Sequence, residues 1–407
     1  MRSILVIWLL ILPALAHAQY TISGNIINLY DKKPVAKASV FLSNTTIGTA
    51  SADDGSYLLR NVKPGQYDMV ITAIGYETLY KTIKVEQTLN IPYIELTPKT
   101  VELNAVVVKP DPEWQNNYRI FKDELLGPSD YALQCKILNP EILDLNFDKA
   151  KRTLTASTND YLEVENKALG YKLKYLLTNF IKDYHTASLY YQGNVLFIPM
   201  QGKPSQVRKW YKNRLEAYMG SSQHYLRSLL GNQLMEQGFR SMRLIRKPNL
   251  QRPPDSLIQA KIAKYGSAAI SIHGNSIIMQ KKDSLDYWLE RKRMPKIVET
   301  LVTAQLNVDS LIKKTDQKGI FAIGFQDVLY IVYNKKKGHS NYDKRPLNAP
   351  DFPTSLMNFS EPYAFFDTNG IIVNPTSVVF EGDWGSDRLA KLLPYDYDPK
   401  EKENGKP

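Results

Sequence analysis

Apolar and polar positions alternate at period two along much of this chain, and that alternation predicts short strands separated by turns. Thr21-Ile22-Ser23-Gly24-Asn25-Ile26-Ile27 reads as a first strand, followed by the turn Asp31-Lys32-Lys33-Pro34. Residues 38–42 and 45–52 read as the next two, and Asp53-Asp54-Gly55 signals a hairpin, because glycine takes positive φ without steric cost. Residues 57–59, 67–73 and a last pair ending at Leu96 complete the series. Strands at this spacing predict a β-sandwich over 19–97.

Residues 98–113 read as a linker, with 103–108 able to pair as a strand before Pro110-Asp111-Pro112. Trp114, Tyr118, Phe121 and Leu125 then share one helical face. Strand patterns return at 142–147, 153–157, 161–165, 170–177 and 189–199. Residues 205–235 form the strongest helical pattern, with Val207, Trp210, Leu215, Tyr218, Tyr225, Leu226 and Leu229 in register and Gly220 weakening the middle. A strand pair is expected over 268–280, around His273-Gly274-Asn275. Further strands are expected at 298–306, 319–325 and 328–334, the last two as a hairpin across Gln326-Asp327. Residues 370–373 and 377–381 read as strands and 387–393 as a short helix, ahead of a polar tail over 398–407. The fold class predicted is mainly β, α+β: a sandwich followed by a larger antiparallel α+β unit over 114–397 with one long helix.

The first unit carries a resemblance. Ile22-Ser23-Gly24, Pro34-Val35-Ala36-Lys37-Ala38-Ser39-Val40, Thr49 through Tyr57, Asn61 through Tyr67 and Ile74-Gly75-Tyr76 resemble the carboxypeptidase-regulatory-like domain. The resemblance implies a transthyretin-like sandwich, common at the start of Bacteroidetes envelope proteins that include TonB-dependent transporters, and not itself catalytic. In the second unit, Cys135 through Pro140, Tyr218 through Arg227 and Leu392-Leu393-Pro394-Tyr395-Asp396-Tyr397 resemble Bacteroidetes proteins of unassigned function named for that sandwich.

Residues 1–18 read as a secretory leader: Arg2, an apolar run from Ile4 to Leu12, Pro13, and Ala16-His17-Ala18 before Gln19. The run is shorter than the ~20 residues a membrane-spanning helix needs. No later apolar run is long enough for such a helix, so the expected address is the periplasm or the outer-membrane surface. With 43% apolar and 23% charged residues, the chain is a folded globular protein rather than a disordered one. The single cysteine, Cys135, excludes an internal disulfide framework and any multi-cysteine metal site.

Net charge is +11, and residues 201–300 hold 19 Lys and Arg against 7 Asp and Glu. Arg243, Arg246, Lys247, Lys281, Lys282, Arg291, Lys292 and Arg293 form the expected patch for an anionic partner. In an exported protein that partner is lipopolysaccharide, an acidic glycan or an acidic protein face; a merely solvated basic surface is the alternative. Nucleic acid is not expected, because the compartment is wrong and no recognised binding motif occurs.

Catalytic motifs are scarce. None of His185, His224, His273 and His339 has a glutamate or histidine three or four positions later, so no zinc-peptidase spacing exists, and neither metal nor cofactor is predicted. Gly220-Ser221-Ser222 lacks the second glycine of a hydrolase elbow. Cys135 reads either as a nucleophile partnered by His224 or as a small buried side chain. Arg214, Tyr218, Ser221, His224, Tyr225 and Arg227 form a stripe, of which Arg214, Tyr218, His224 and Arg227 are candidate ligand-binding residues. The same stripe equally suits a helix locked onto its sheet by internal bonds. Asp255-Ser256-Leu257, Asp283-Ser284-Leu285 and Asp309-Ser310-Leu311 look like an O-glycosylation signal, or like ordinary helix caps. The expected function is an exported, non-enzymatic envelope protein that docks a protein or an anionic ligand; the alternative is a hydrolase or transferase acting on envelope glycan or peptide.

Overall fold

The computed structural model describes residues 19–99, 113–268, 270–273, 276–279, 283–336 and 349–400. The leader over 1–18, the linker from 100 to 112 with its expected strand, the turn residues 274 and 275, Lys281, Lys282, His339 and the tail from 401 onward lie outside the described residues.

The first unit is built from β1 (Tyr20–Asn28), β2 (Ser39–Leu42), β3 (Gly48–Ala50), β4 (Ser56–Val62), β5 (Gly65–Thr72), β6 (Leu79–Val85) and β7 (Leu89–Leu96). They form two sheets, β4-β1-β7 and β3-β2-β5-β6. Period-two alternation decides which side chains face inward: Ile22, Ile26, Val40, Leu59, Met69 and Ile71 are fully buried between the sheets. β1 pairs antiparallel with β4 and parallel with β7. The turn at 53–55 closes locally, with Gly55 N–H donating to Ala52 O at 2.9 Å. It is not the expected hairpin, because β3 and β4 belong to different sheets and β4 takes β1 as its partner.

The second unit begins with α1 (Trp114–Leu126), whose Phe121 meets Phe180 edge-on at 4.8 Å. It covers a sheet of β8 (Cys135–Ile137), β9 (Leu143–Asp148), β10 (Thr153–Thr158), β11 (Leu162–Asn166), β12 (Tyr171–Asp183) and β13 (Ser188–Pro199). The long hairpin β12–β13 runs along one side of this sheet, while β11 and β10 share the other edge of β12.

The long helix expected over 205–235 is realised as three pieces: α2 (Pro204–Tyr218), α3 (Ser222–Leu230) and α4 (Leu234–Gln237). Pro204 starts α2 at the position where a missing N–H costs nothing. Gly220 breaks the run. Its φ is 89°, and a Cβ there would sit 2.8 Å from the Tyr333 ring, so tertiary packing overrides the apolar periodicity. Ser221 then caps α3 by accepting the His224 N–H at 3.1 Å.

Onward lie β14 (Phe239–Pro248), α5 (Asp255–Ala268), β15 (Ile270–His273), β16 (Ser276–Met279), α6 (Asp283–Arg293) and β17 (Ile297–Val302). Then come β18 (Ile312–Lys314), β19 (Ile320–Ile323), β20 (Val328–Tyr333), β21 (Thr354–Phe359), β22 (Ala364–Asp367), β23 (Val378–Gly382) and α7 (Asp383–Ser386). The sheet order β17-β14-β20-β21-β23 places β20 in the middle, buried along its whole length. The expected 319–325/328–334 hairpin is therefore corrected: β14 and β21 occupy both edges of β20, and β19 pairs with β18 and β22 instead. Residues 370–373 make only an isolated bridge, Phe366 to Ile372, and the helix expected over 387–393 shrinks to a single 3-10 turn at Leu389–Lys391. α5 opens at Asp255, whose carboxylate bonds Arg252 and Lys296, and α6 opens at Asp283.

The two units are bonded to each other. Asn44 N–H donates to Val195 O at 2.6 Å and Phe197 N–H to Thr45 O at 3.0 Å, so the β2–β3 turn adds to the edge of β13. Phe41, Val70, Leu176 and Leu196 close an apolar seam there, and Thr72 bonds the Tyr161 hydroxyl at 2.8 Å.

Gly220→Ala combines left-handed strain with a clash, whereas Gly319→Ala, at φ 81° with nothing within 4 Å of its Cβ, carries strain alone. Gly319→Ala should cost about 1 kcal/mol and Gly220→Ala at least about twice that, read from urea midpoints. Equal costs would show that Tyr333 does not require the glycine.

Candidate functional site

The four candidate ligand-binding residues of the 205–235 stripe are drawn inward, and each side chain is engaged by the fold. Because the helix breaks at Gly220, Arg214 and Arg227 leave on separate helices toward different targets. Arg214 Nε donates to Leu169 O at 2.7 Å and Nη2 to Gly170 O at 3.2 Å, with the guanidinium 4.0 Å over the Tyr171 ring. Arg227 donates to three carbonyls: Asn369 O at 2.8 Å, Tyr397 O at 3.0 Å and Tyr395 O at 3.2 Å. Tyr218 is buried under Arg227 and beside Tyr397.

His224 is 4% exposed, among the rings of Tyr218, Phe239 and Tyr333. Its Nδ1 accepts the Gly220 N–H at 3.1 Å, which leaves Nε2 to donate to Gln237 Oε1 at 3.2 Å. That pair of bonds selects the neutral imidazole with the proton on Nε2. Burial drives its pKa down to about 4, so it carries no exchangeable charge near neutrality. Cys135 donates to Tyr131 O at 3.3 Å, and burial raises its thiol to about 12. A thiol held that far from ionisation makes a poor nucleophile.

One cleft, which no sequence motif announced, lies at the helix break. It encloses about 210 Å³ between Gly220, Ser221, Tyr333, Ser355, Asp383 and Trp384. Its polar groups hold its walls together. Trp384 Nε1 donates to Gly220 O at 2.7 Å, Ser355 Oγ accepts the Trp384 N–H at 3.2 Å, and Asp383 Oδ2 accepts the Thr354 N–H at 2.7 Å. Asp387, raised by burial, is bonded to Lys391 at 2.7 Å. The walls come from segments more than a hundred residues apart, which is why no local spacing revealed them. Among the described residues, no group of three His, Cys, Asp or Glu is placed to hold a metal ion.

The basic patch is smaller than its sequence. Arg243, Arg246 and Lys247 lie in β14, and two of the three are spent on carboxylates. Arg243 Nε meets Asp327 at 2.5 Å, and Arg246 bonds Glu299 at 2.8 Å and Glu381 at 2.6 and 2.9 Å. Arg291 is half committed, donating to Gln251 O at 3.1 Å and lying 4.9 Å from the Tyr287 ring. Lys247, Lys292 and Arg293 are exposed and form no ion pair among the described residues. Lys247 pairs with Val298 and Pro248 with Ile297, and α6, which carries Lys292 and Arg293, ends only three residues before β17 begins. The run 291–293 also sits in the last turn of α6, where cations complement the helix dipole.

Residues 22–108 match the family model of the CarboxypepD_reg-like domain. The N-terminal sandwich is a carboxypeptidase-regulatory-like domain. It is a non-catalytic domain type, and it covers the first unit of the chain only. No curated protein matches the chain. Solved structures similar to it include an interface mutant of a type II cohesin–X-dockerin complex from Acetivibrio cellulolyticus, 21% identical over 18% of this chain and 52% of that one, with a TM-score of 0.17. The chain thus spans about half the length of that structure. A DUF3823 family protein from Parabacteroides merdae is 10% identical over 47% and 85% of the two chains, with a TM-score of 0.17. A putative membrane-associated protein of unknown function from Bacteroides fragilis is 13% identical over 78% and 91%, again with a TM-score of 0.17. Likenesses this slight carry no functional argument. Among the described residues, no helix is long and apolar enough to cross a membrane.

Because His224 is neutral when folded and titrates near 6.5 when unfolded, the unfolded state binds more protons between those values. This contribution is complete above pH 6.5 and is lost as pH falls toward 4, amounting to about 3 kcal/mol. Unfolding midpoints at pH 7.5 and 4.5 should therefore differ less in His224→Gln than in the wild type. An unchanged difference would show that the imidazole is protonated in the folded protein.

Proposed function

We propose that the protein is an exported, non-enzymatic docking component of the cell envelope, which holds an anionic envelope glycan or lipopolysaccharide through the basic end of its second unit. One observation supports this reading: Lys247, near the end of β14 beside the start of β17, and Lys292 and Arg293, at the end of α6 just before β17, are exposed and form no ion pair among the described residues. Exposed Leu250, at 96%, and Ile297, at 50%, stand beside these cations, so the surface offers apolar contact as well as charge. The regulatory-like domain, bonded to the edge of β13, serves as a rigid spacer rather than a second active unit. The hydrolase or transferase alternative loses its support, since His224, Arg214 and Cys135 are engaged internally.

The mature protein should bind lipopolysaccharide with an affinity at least about ten-fold weaker at 0.5 M than at 0.05 M salt, because exposed charges are screened within a few ångströms at the higher value. Lys247→Gln/Lys292→Gln/Arg293→Gln should fold normally and lose that salt-sensitive binding. Salt-independent binding, or a triple variant that binds as wild type, would refute the reading.

A further inference from the structure

We propose that a second cleft, beside Gly127, is a binding site for a small organic anion whose headgroup is gripped by Arg388. The cleft encloses about 640 Å³ between the end of α1, the segment from Pro128 to Cys135, and the chain after α7. That volume suits a small molecule. Gly127 ends α1 with φ 87°, and a Cβ there would fall 2.6 Å from Arg388 Cγ, so the glycine is what allows the arginine to lie across the helix end.

The decisive feature is an unmet valence. Arg388 Nε is buried without a hydrogen-bond partner, and so is Ser129 Oγ, which lines the same cleft. Arg388 also makes no ion pair among the described residues. The fold treats its other inward arginines differently: Arg214, Arg227 and Arg246 are each bonded to carbonyls or carboxylates. A buried donor left unpaired is unfavourable, and an oxyanion accepting from it would relieve that cost.

The carboxylates nearby do not fill that role. Glu124 is held by Lys182 at 2.7 Å, Asp123 lies 3.9 Å from Lys122, and Asp387, next to Arg388 in sequence, is taken by Lys391 at 2.7 Å. Asp130 is exposed. Lys122, in the same lining, is the partner of Asp123, which leaves Arg388 as the cation without a carboxylate partner among the described residues. Leu126 is buried in the wall, while Leu133 stands 86% exposed at the mouth, an apolar surface that the body of a ligand would cover. The unpartnered Arg388 group and the apolar wall together select a carboxylate or phosphate head on a short apolar body. This site is independent of the basic surface proposed above.

The test is thermal unfolding of the mature protein at constant ionic strength with hexanoate, hexyl phosphate or hexylammonium. Wild type should gain at least about 2 °C with one or both anions and nothing with the cation, and the two anion arms distinguish a carboxylate ligand from a phosphate one. Arg388→Met should unfold no earlier than wild type without ligand, because a buried unpaired charge is removed, and should lose the anion response. Should Arg388→Met fail to fold, Ser129→Ala provides the second arm and should reduce the shift. Equal shifts in wild type and variants, a shift with hexylammonium, or no shift with either anion would overturn the proposal.

Discussion

The guanidinium of Arg227 ties three main-chain carbonyls, at Asn369, Tyr395 and Tyr397, and the assembly of the two units depends on that tie. Tyr395 N–H in turn donates to Asn44 O at 2.7 Å, and the Asp396 carboxylate accepts from Thr46 N–H at 3.0 Å and from the Thr46 hydroxyl. Lys63 reaches Asp396 O at 3.3 Å. The stretch 395–397 is thus a strap with α3 on one side and the sandwich on the other. Hydrogen bonds from a charged donor contribute about 1.5–3 kcal/mol each, more than neutral ones, so a single arginine can hold a segment that has no secondary structure of its own.

This arrangement explains why the polar stripe is chemically quiet. An arginine bonded to main-chain carbonyls is held in place by the fold, and a histidine bonded at both ring nitrogens has no site for a mobile proton. The same bonds that look like a catalytic constellation in one dimension are cross-links in three. What is left for binding is the surface and Arg388, whose Nε is buried without a hydrogen-bond partner among the described residues. The charges at Lys247, Lys292 and Arg293 cost nothing in solvent and become useful only against an opposite charge.

The sandwich was legible because its signals are local. Alternation, turn residues and the motif from Pro34 to Val40 each act over a few positions, and β1, β2, β4 and β5 fall where they point. β14 was hidden because Arg240, Arg243 and Arg246 break its apolar pattern; Arg243 bonds Asp327 and Arg246 bonds Glu299 and Glu381, residues that no local window could supply. The helix pattern through Tyr218 and Tyr225 was real but misled at Gly220, where Tyr333 and Trp384 decide the conformation from afar. The strand at 328–334 was seen, yet its partners were not, since sheet order depends on long-range contacts that alternation does not encode. Within the stripe, the partners of Arg214 and Arg227 are main-chain carbonyls distant in sequence, which no local pattern encodes.

Native-state hydrogen exchange at the junction tests the account most directly. The amide protons of Asn44, Phe197 and Tyr395 should exchange as slowly as those in the centre of β12, because the strap and the β13 edge bind the sandwich into one cooperative body. Exchange at these three positions as fast as in an exposed loop, with β12 still protected, would mean that the units are held apart in solution and that Arg227 does not carry the role assigned to it.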